Sequence, residues 1–271
     1  MNRNFSLRNL TMAAAVLLFA ANLAMAQESK HECTNNESNS DKPHVCEVRE
    51  MTLAAVPELK VDAAMNGGIA VEGADRNDIS VRAIVVAWGN NENEAREEEQ
   101  RIRIATDGGN IRAEGARTKH YSVSYKLTVP RATAVDLHAN NGGISLAGLN
   151  SHVRFETTNG GVNLSEMAGD VKGETTNGGI HVKLDGARWN GAGLDVTTTN
   201  GGIRAVMPAT YAAHLEAATV NGGLHVDFPI TVTGSIRNRV STDLNGGGPA
   251  IHLETTNGGV RIGSEDHNND D

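Results

Sequence analysis

The sequence predicts an all-β fold: a parallel β-solenoid, or β-helix, of coils of about 18–24 residues with a less regular N-terminal part. Asn or Asp followed by two glycines occurs nine times, and the copies from Asn141 to Asn221 lie 18 to 23 residues apart. The chain contains 30 glycines but only 3% aromatic residues. This composition is typical of a narrow solenoid filled by aliphatic side chains, whereas a globular enzyme of this length buries more aromatic surface.

Each repeated unit reads as strand, turn and strand: apolar, any, apolar, any, Thr, any, Asn, Gly, Gly, Ile or Val, any, apolar. A spacing of about 18 residues is too short for a crossover helix, so we expect each strand to pair with its equivalent one turn later. Residues of one parity then form aliphatic columns. The first columns before and after the turn are Val135, Val153, Val171, Leu194, Leu215 and Ile251, and Ile144, Val162, Ile180, Ile203, Leu224 and Val260.

Stacking at roughly 4.8 Å per coil places like residues of the turns over one another. We expect the turn asparagines to form an amide ladder and the adjacent glycines to permit positive φ. A column of threonines two residues before the turn, at positions 157, 175, 198, 219 and 255, is expected to face inward and to bond to backbone near the bend. Phe155 lies in a column beside Gly173, which leaves room for its ring. The ladder asparagines are Asn141, Asn159, Asn177, Asn200, Asn221 and Asn257.

Residues 1–26 have the organisation of a secretory signal peptide. Arg3 and Arg8 precede an apolar run at 12–21, and small residues at 24 and 26 predict cleavage between Ala26 and Gln27. The apolar run is about half the ~20 residues that a membrane-spanning helix needs, so we expect no transmembrane segment in the mature chain. The expected location is outside the cytoplasm, either periplasmic or extracellular at the cell surface.

The polar segment 27–46 contains Cys33 and Cys46, the only cysteines of the chain. In an oxidising compartment they are expected to form a local disulfide, with two free thiols as the alternative. A metal pair is disfavoured because no CxxC or HxxxH spacing is present. Without the signal peptide, 22 basic and 33 acidic side chains leave a net charge near −11, which disfavours nucleic acid as a partner. No cofactor is predicted.

The solenoid domain is predicted to span 47–263, with regular coils at 135–263 and an acidic disordered tail at 264–271. Before residue 131 the pattern degenerates into units around the turns at Asn66 and Asp107, with strand-like runs at 79–88 and 121–129. The segment 90–101 is polar and Glu-rich, which suggests a short exposed helix or a loop.

One pair of carboxylates raises the possibility of an enzyme that acts on polysaccharides. Glu156 and Glu174 are equivalent positions one coil apart, and carboxylates about 5 Å apart can perform retaining glycoside hydrolysis. However, Arg154 and Lys172 stand on the same outward face, so an alternating charged surface of a solvated sheet is the favoured interpretation.

Two other binding functions are disfavoured by the spacing of the residues they would need. His181 and His225 are equivalent positions, but Arg204 is expected between them, which places them near 10 Å apart and too far for one metal ion. Ice binding would need a regular array of threonines, and a neighbouring outward column contains charged residues. The outward threonines are Thr158, Thr176, Thr199 and Thr256.

Differences in coil length accumulate between the second strand of one coil and the first strand of the next, so variable loops are expected to share one edge. Such loops on a rigid scaffold are suited to recognition. The candidate binding edge comprises Trp189, Asn190, Tyr211 and Phe228. The alternative is that Trp189 and Tyr211 fold back and cover the edge of the coil.

Four segments carry a resemblance to a known family: Cys-Glu-Val-Arg-Glu at 46–50, Val-Pro-Arg at 129–131, Trp-Asn-Gly-Ala-Gly-Leu at 189–194 and Thr-Thr-Asn-Gly-Gly at 255–259. Over residues 46–262 the chain resembles the exported bacterial putative-adhesin domain family of unknown function. The resemblance implies a β-solenoid and adhesion, and it supplies no catalytic residues. We therefore expect a non-enzymatic adhesin-like binding module or cell-envelope structural module whose partner is an envelope polymer or protein. A polysaccharide-active β-helix enzyme is the alternative.

Overall fold

The computed structural model describes Cys33, residues 42–227 and residues 237–264, and there it confirms the all-β fold. Two ten-stranded sheets enclose one hydrophobic core. The elements are β1 (His44–Ala54), β2 (Glu58–Asp62), β3 (Ile69–Ala74), β4 (Asp78–Trp88), α1 (Glu92–Arg101), β5 (Arg103–Ala105), a 3-10 turn (Asp107–Gly109), β6 (Asn110–Glu114), β7 (Tyr121–Pro130), β8 (Ala134–Ala139), β9 (Ile144–Ala147), β10 (Asn150–Asn159), β11 (Val162–Ser165), β12 (Ala168–Asn177), β13 (Ile180–Lys183), β14 (Gly193–Asn200), β15 (Ile203–Met207), β16 (Ala213–Asn221), β17 (Leu224–Val226), β18 (Arg239–Leu244), β19 (Ala250–Asn257) and β20 (Val260–Ser264).

The two sheets correspond to the two strands of each coil. The leading sheet, whose central strands run into the Asn-Gly-Gly turns, has the order β18-β16-β19-β14-β12-β10-β8-β2-β6-β5. The trailing sheet, whose central strands leave those turns, has the order β1-β4-β7-β3-β9-β11-β13-β15-β20-β17. Pairing between neighbouring coils is parallel and in register, so Asn159 lies beside Asn177. Equivalent residues of successive coils therefore form columns.

The core lies between the sheets and follows the predicted parity. Along β10, for example, every second residue from Val153 to Thr157 is buried and its neighbours are exposed. Phe155 pairs with Gly173 as expected, and a β-carbon added to that glycine would lie 2.5 Å from Cδ1 of the ring. A large side chain thus occupies the space that its neighbour leaves empty, which fills the column without a cavity.

The coils do not stack in chain order at the C-terminal end. β19 pairs with β14 on one side and with β16 on the other, and β20 likewise separates β15 from β17. Leu194 therefore has Ile251 rather than Leu215 as its neighbour. The expectation that each strand pairs with the next coil in sequence is wrong at this point. Since all coils carry the same columns, the last coil fits between two earlier ones, while β18 covers the far side of β16 by antiparallel pairing.

The N-terminal part is a mixed cap rather than a series of degenerate coils. The unit around Asn66 is a true coil, in which β2 and β3 pair in parallel with β8 and β9. In contrast, β5 and β6 around Asp107 form an antiparallel pair, so this unit is a hairpin of the leading sheet. β1, β4 and β7 extend the trailing sheet and are joined by antiparallel pairing of β4 with β1 and β7.

Helix α1 occupies part of the segment expected as an exposed helix or loop, but one side of it is buried. Glu98 is 4% exposed and accepts hydrogen bonds from the backbone N–H and hydroxyl of Thr118 at 2.8 and 3.0 Å. On strand β1, Arg49 donates to the carboxylate and the carbonyl of Glu99. Burial and a hydrogen bond with Glu47 raise the pKa of Glu99. These contacts hold the helix against β1 and β4.

The disulfide expected between Cys33 and Cys46 is present, with 5.8 Å between the Cα atoms, and it ties the preceding segment to β1. At the other end β20 continues through Ser264, which is 3% exposed, so the strand runs one residue into the expected tail. The expected signal peptide with its Ala26–Gln27 cleavage site, Phe228 and residues 265–271 lie outside the described residues. Within the described part of the chain, no helix has the length and apolar character needed to cross a membrane.

Candidate functional site

The turn asparagines form one continuous ladder of side-chain amides. Each Nδ2 donates to the Oδ1 of the next Asn toward the N-terminal end of the stack, at 2.8–2.9 Å from Asn221 to Asn141 and 3.2 Å from Asn141 to Asn66. At that end Asn66 Nδ2 donates to the carbonyl of Tyr121 at 3.2 Å. Because every amide points the same way, the amide dipoles add, and the N–H end of the ladder is at Asn66. The order along the stack is Asn221, Asn257, Asn200, Asn177, Asn159, Asn141 and Asn66.

A second ladder of threonine hydroxyls lies beneath the amides. Each hydroxyl is buried and donates at 2.7–2.9 Å to the carbonyl of the first glycine in the neighbouring turn. Every bond joins two coils and satisfies a polar group that would otherwise be buried without a partner. The threonines are Thr157, Thr175, Thr198, Thr219 and Thr255.

The first glycine of each turn is required by close packing between coils. A β-carbon at any of these positions would come within 3.0 Å of the carbonyl oxygen of the neighbouring first glycine, a separation that real β-carbons do not show. Positive φ, the expected reason for these glycines, applies to only one of them, Gly258. Backbone approach is therefore the main reason that glycine occupies these positions. The first glycines in the regular coils are Gly142, Gly160, Gly178, Gly201, Gly222 and Gly258.

The second glycines of three turns are in a different situation, whereas a β-carbon at Gly68, Gly143, Gly202 or Gly259 would lie 3.0–3.3 Å from the next carbonyl oxygen. A β-carbon at Gly161 or Gly179 would lie 3.5 or 3.4 Å from the next carbonyl oxygen, which is an ordinary contact, and one at Gly223 would meet nothing within 4 Å. None of these three has a φ in the left-handed region. Their backbone would thus accommodate a side chain, so the fold does not require glycine at these three positions.

Second glycines line much of a groove on the outer face of the trailing sheet, which we call the outer groove. It contains four adjoining cavities of about 550, 340, 480 and 600 Å³. Adjacent cavities share lining residues: first Gly68 and Ser124, then Asn163, then His181 and Arg204. A side cavity of about 720 Å³ shares Lys126 with the second of these and is lined by Glu50 and Glu72. The 480 Å³ cavity is lined by strand residues alone. The second glycines that line the other three are, in sheet order, Gly68, Gly143, Gly179, Gly202, Gly259 and Gly223. At roughly 4.8 Å between strands, the groove is about 29 Å long from Gly68 to Gly223.

Basic side chains line the groove at its C-terminal end. The column beside the glycines runs His181, Arg204, Arg261, His225 across four strands. Asp227 pairs with Arg261 at 3.0 Å and with His225 at 2.6 Å. Burial raises the pKa of Asp227, but the hydrogen bonds and charges of these two partners outweigh it and hold the pKa below its ordinary value. The groove therefore offers cationic groups in a chain of net charge −9.

The same column corrects the expected position of two histidines. Two arginines, Arg204 and Arg261, separate His181 from His225, because the last coil is inserted between two earlier ones. Three strand spacings, about 14 Å, then separate the histidines. Among the residues that the structure describes, no group of three or more His, Cys, Asp or Glu side chains could hold a metal ion.

Glu156 and Glu174 are paired in register on the outer face of the leading sheet, as expected. Both side chains are exposed, and Arg154 and Lys172 are paired two residues earlier on the same face. Lys172 in turn bonds Asp195 of the next coil at 2.9 Å. The two carboxylates thus belong to a row of alternating charges on the outer face of the leading sheet.

The structure changes the interpretation of the candidate binding edge. Trp189 is 3% exposed and its Nε1 donates to the carbonyl of Gly169 at 2.9 Å, while Tyr211 is 1% exposed. Both rings fold over the edge of the core and offer no free face to a ligand. Asn190 is exposed, and its carbonyl accepts from the backbone of Gly169 at 2.7 Å. Phe228 lies outside the described residues. Burial thus excludes Trp189 and Tyr211 as exposed contact residues.

Sequence reasoning missed the outer groove for an identifiable reason. The parity of each coil already places the residue after the Ile or Val on the outer face, so Arg204 and Arg261 could have been assigned there. The pattern does not distinguish the two glycines of a turn. They differ in how closely a β-carbon would approach the carbonyl oxygen of the neighbouring coil, and the sequence does not give that distance.

The model of one family, described as Toastrack DUF4097, matches residues 58–263. The chain belongs to this family. The Toastrack match contains the regular coils, the coil around Asn66 and the N-terminal cap from β2 onward, and it agrees with the family expected from the sequence. No curated protein matches the chain.

Several solved structures are similar to this Toastrack chain over most of its length. A putative cell adhesion protein from Clostridium sporogenes is 10% identical, with a TM-score of 0.44, 81% of this chain covered and 100% of the other. A putative adhesin from Bacteroides fragilis is 10% identical, with a TM-score of 0.35 and coverage of 81% and 97%. A putative lipid binding protein from Parabacteroides distasonis is 10% identical, with a TM-score of 0.28 and coverage of 81% and 96%. At these values the similarities carry no information about the ligand of this chain.

Proposed function

We propose that this protein is an exported, non-enzymatic, adhesin-like module that binds an extended anionic polymer of the cell envelope along the outer groove. The observation that carries the proposal is the presence of glycine at two groove positions where the fold does not require it. Steric demands of the fold explain the first glycines, whereas Gly179 and Gly223, which line the groove, have room for a β-carbon. A binding surface on which a chain lies directly against the backbone explains why side chains are missing there.

The charge of the groove favours a polyanion as the bound chain. Arg204 and Arg261 stand beside glycines of the groove in a protein whose net charge is negative. Local cationic groups in an acidic molecule attract a ligand to one face while the remaining surface repels it. Such binding is expected to weaken as ionic strength rises.

Two observations support export and a role without catalysis. The Cys33–Cys46 disulfide is typical of proteins in an oxidising compartment, and the expected signal peptide at 1–26 leads there. Glu156 and Glu174 lie on a solvated face, away from the residues that line the groove. The proposed binding surface therefore lacks the pair of carboxylates on which the enzymatic alternative depends.

Affinity gel electrophoresis with polygalacturonate as the immobilised polyanion, and dextran as the neutral control, tests this function. The purified protein should be retarded by polygalacturonate and not by dextran, without release of reducing sugar. A double change, Gly179→Leu with Gly223→Leu, should abolish retardation because both side chains enter the 600 Å³ cavity of the groove. Thr158→Leu with Thr176→Leu is the matched control, since it adds the same side chains to the outer face of the leading sheet.

Charge is tested separately by Arg204→Gln, with Arg154→Gln on the leading sheet as its control. We expect Arg204→Gln to weaken retardation about tenfold and Arg154→Gln to leave it unchanged. If Arg204→Gln and Arg154→Gln weaken retardation equally, the polymer binds elsewhere. The same conclusion follows if the double leucine variant of the groove is still retarded.

A further inference from the structure

The cavity at the N-terminal end of the outer groove differs from the rest of the groove in its chemistry. It measures about 550 Å³ and lies where the amide ladder ends. Its wall combines one aromatic ring, three basic side chains, amides and hydroxyls. The lining is Lys42, Asn66, Gly67, Gly68, Trp88, Lys119, His120, Ser122, Ser124 and Asn141.

Trp88 supplies an aromatic surface in a chain that has only two tryptophans. It ends β4 and has the parity of the outward-facing residues, and it is only partly buried. Its Nε1 is buried without a hydrogen-bond partner in the described part of the molecule. The other tryptophan, Trp189, is buried and hydrogen bonded. Trp88 therefore presents part of its side chain to the cavity, as carbohydrate stacking needs.

Basic side chains converge on the same cavity. Lys42, Lys119 and His120 are exposed residues of its wall, and among the described lining residues there is no carboxylate. The amide ladder also ends at this wall, where Asn66 Nδ2 donates to the carbonyl of Tyr121 at 3.2 Å. The basic side chains therefore give this cavity its preference for an anion.

We propose that this cavity, the Trp88 pocket, binds an acidic sugar, a pyranose that carries a carboxylate. The apolar face of the ring stacks on Trp88, the carboxylate lies toward Lys119, and sugar hydroxyls bond Ser122 and Asn141. The proposal deepens the proposed function, because it assigns the acidic unit of the envelope polymer to one end of the groove. It requires only a short saccharide, whereas groove binding requires a long one.

Tryptophan fluorescence provides the test. In the variant Trp189→Phe the remaining tryptophan is Trp88, and titration with trigalacturonate should give a saturable change in its emission. The methyl ester of trigalacturonate has the same rings without the charge and should bind about tenfold more weakly. Lys119→Gln should lower affinity for the acid about tenfold and remove the preference for acid over ester. Lys60→Gln, an exposed lysine on the leading sheet, is the matched control and should change neither.

Calorimetry on Trp88→Leu completes the test, with its thermal unfolding measured beside it. If Trp88→Leu still folds but no longer binds trigalacturonate, the result supports the Trp88 pocket. If Lys119→Gln leaves the fluorescence titration unchanged, or if the acid and its ester bind with equal affinity, the proposal of an acidic-sugar pocket is overturned. If the trisaccharide binds and polygalacturonate does not, the proposal of groove binding fails and that of the Trp88 pocket stands. If polygalacturonate binds and the trisaccharide does not, only the proposal of the Trp88 pocket fails.

Discussion

The two glycines of one turn should respond in opposite ways to the addition of a methyl group. Gly178→Ala places a β-carbon 2.5 Å from the carbonyl carbon of Gly160, whereas Gly179→Ala places one 3.4 Å from the nearest atom, the carbonyl oxygen of Gly202. The two changes are adjacent in sequence and chemically identical. Any difference between them therefore reports the packing of one coil on the next.

The structure sets the size of the effect. Ordinary contact begins near 3.4 Å, and the carbonyl oxygen of Gly160 lies closer to the added β-carbon than the carbonyl carbon does. Gly178→Ala must therefore separate two coils by at least about 0.9 Å, and overpacking of this kind costs about 1–3 kcal/mol. Thr175 Oγ1 donates to the carbonyl of Gly160 at 2.8 Å, and loss of that buried bond adds about 1–3 kcal/mol. We expect the free energy of unfolding to fall by about 2–6 kcal/mol. Gly179→Ala should instead leave it unchanged or raise it by up to about 1 kcal/mol, since alanine restricts the unfolded chain.

Urea denaturation followed by circular dichroism measures both variants against the parent protein. Because repeat proteins need not unfold in one step, amide hydrogen exchange in β10 and β12 should be followed as well. Gly178→Ala should accelerate exchange in these strands, and Gly179→Ala should not. If Gly178→Ala and Gly179→Ala destabilised the protein equally, close packing would require both glycines of the turn. That result would refute the argument for the groove.

Three further predictions concern the core, the loop edge and the C-terminal cap. Gly173→Ala should lower the free energy of unfolding by about 1–3 kcal/mol because the added methyl group clashes with Phe155. Adding Phe155→Leu to this variant should recover part of the lost stability. A double-mutant cycle that finds no coupling between the two positions would contradict this packing. Trp189→Phe keeps a buried ring but loses one hydrogen bond, so the free energy of unfolding should fall by about 1 kcal/mol. For Trp189→Ala it should fall by about 3–5 kcal/mol, and thermal unfolding measures both variants. His214 Nδ1 donates a hydrogen bond to the carboxylate of Asp243 at 2.6 Å, which raises the pKa of His214. This pair therefore stabilises β18 below the unfolded histidine pKa of about 6.5, and its contribution is lost as pH rises through the folded pKa. Protection factors in β18 should fall over that rise, and Asp243→Asn should remove the dependence; a fall that persists in Asp243→Asn would exclude the pair as its cause.

The regular part of the fold was predictable because its information is local and periodic. A parity argument on one coil places Val153, Phe155 and Thr157 inward, and repetition of the coil places Asn159 beside Asn177. Neither step needs knowledge of distant sequence. The pairing of Phe155 with Gly173 follows from the same register.

Other features depend on information that a repeat lacks. Every coil presents the same columns, so the pattern does not reveal that β19 enters between β14 and β16. The hairpin at Asp107 carries the same tripeptide as the coils, but its strands pair with each other. Burial of Trp189 depends on the carbonyl of Gly169 beneath it. Trp88 was assigned to a strand, but its neighbours in the cavity come from segments 46 and 31 residues away, at Lys42 and Lys119 respectively, and from the turns at Asn66 and Asn141.

The most direct test of the groove is a titration of glycine-labelled protein with polygalacturonate, followed by the amide resonances of the glycines. The account predicts the largest shifts at groove glycines such as Gly179, Gly202 and Gly259, with small shifts at the loop glycines Gly186 and Gly191. Shifts concentrated at the loop glycines, or no shifts at saturating polymer, would contradict it.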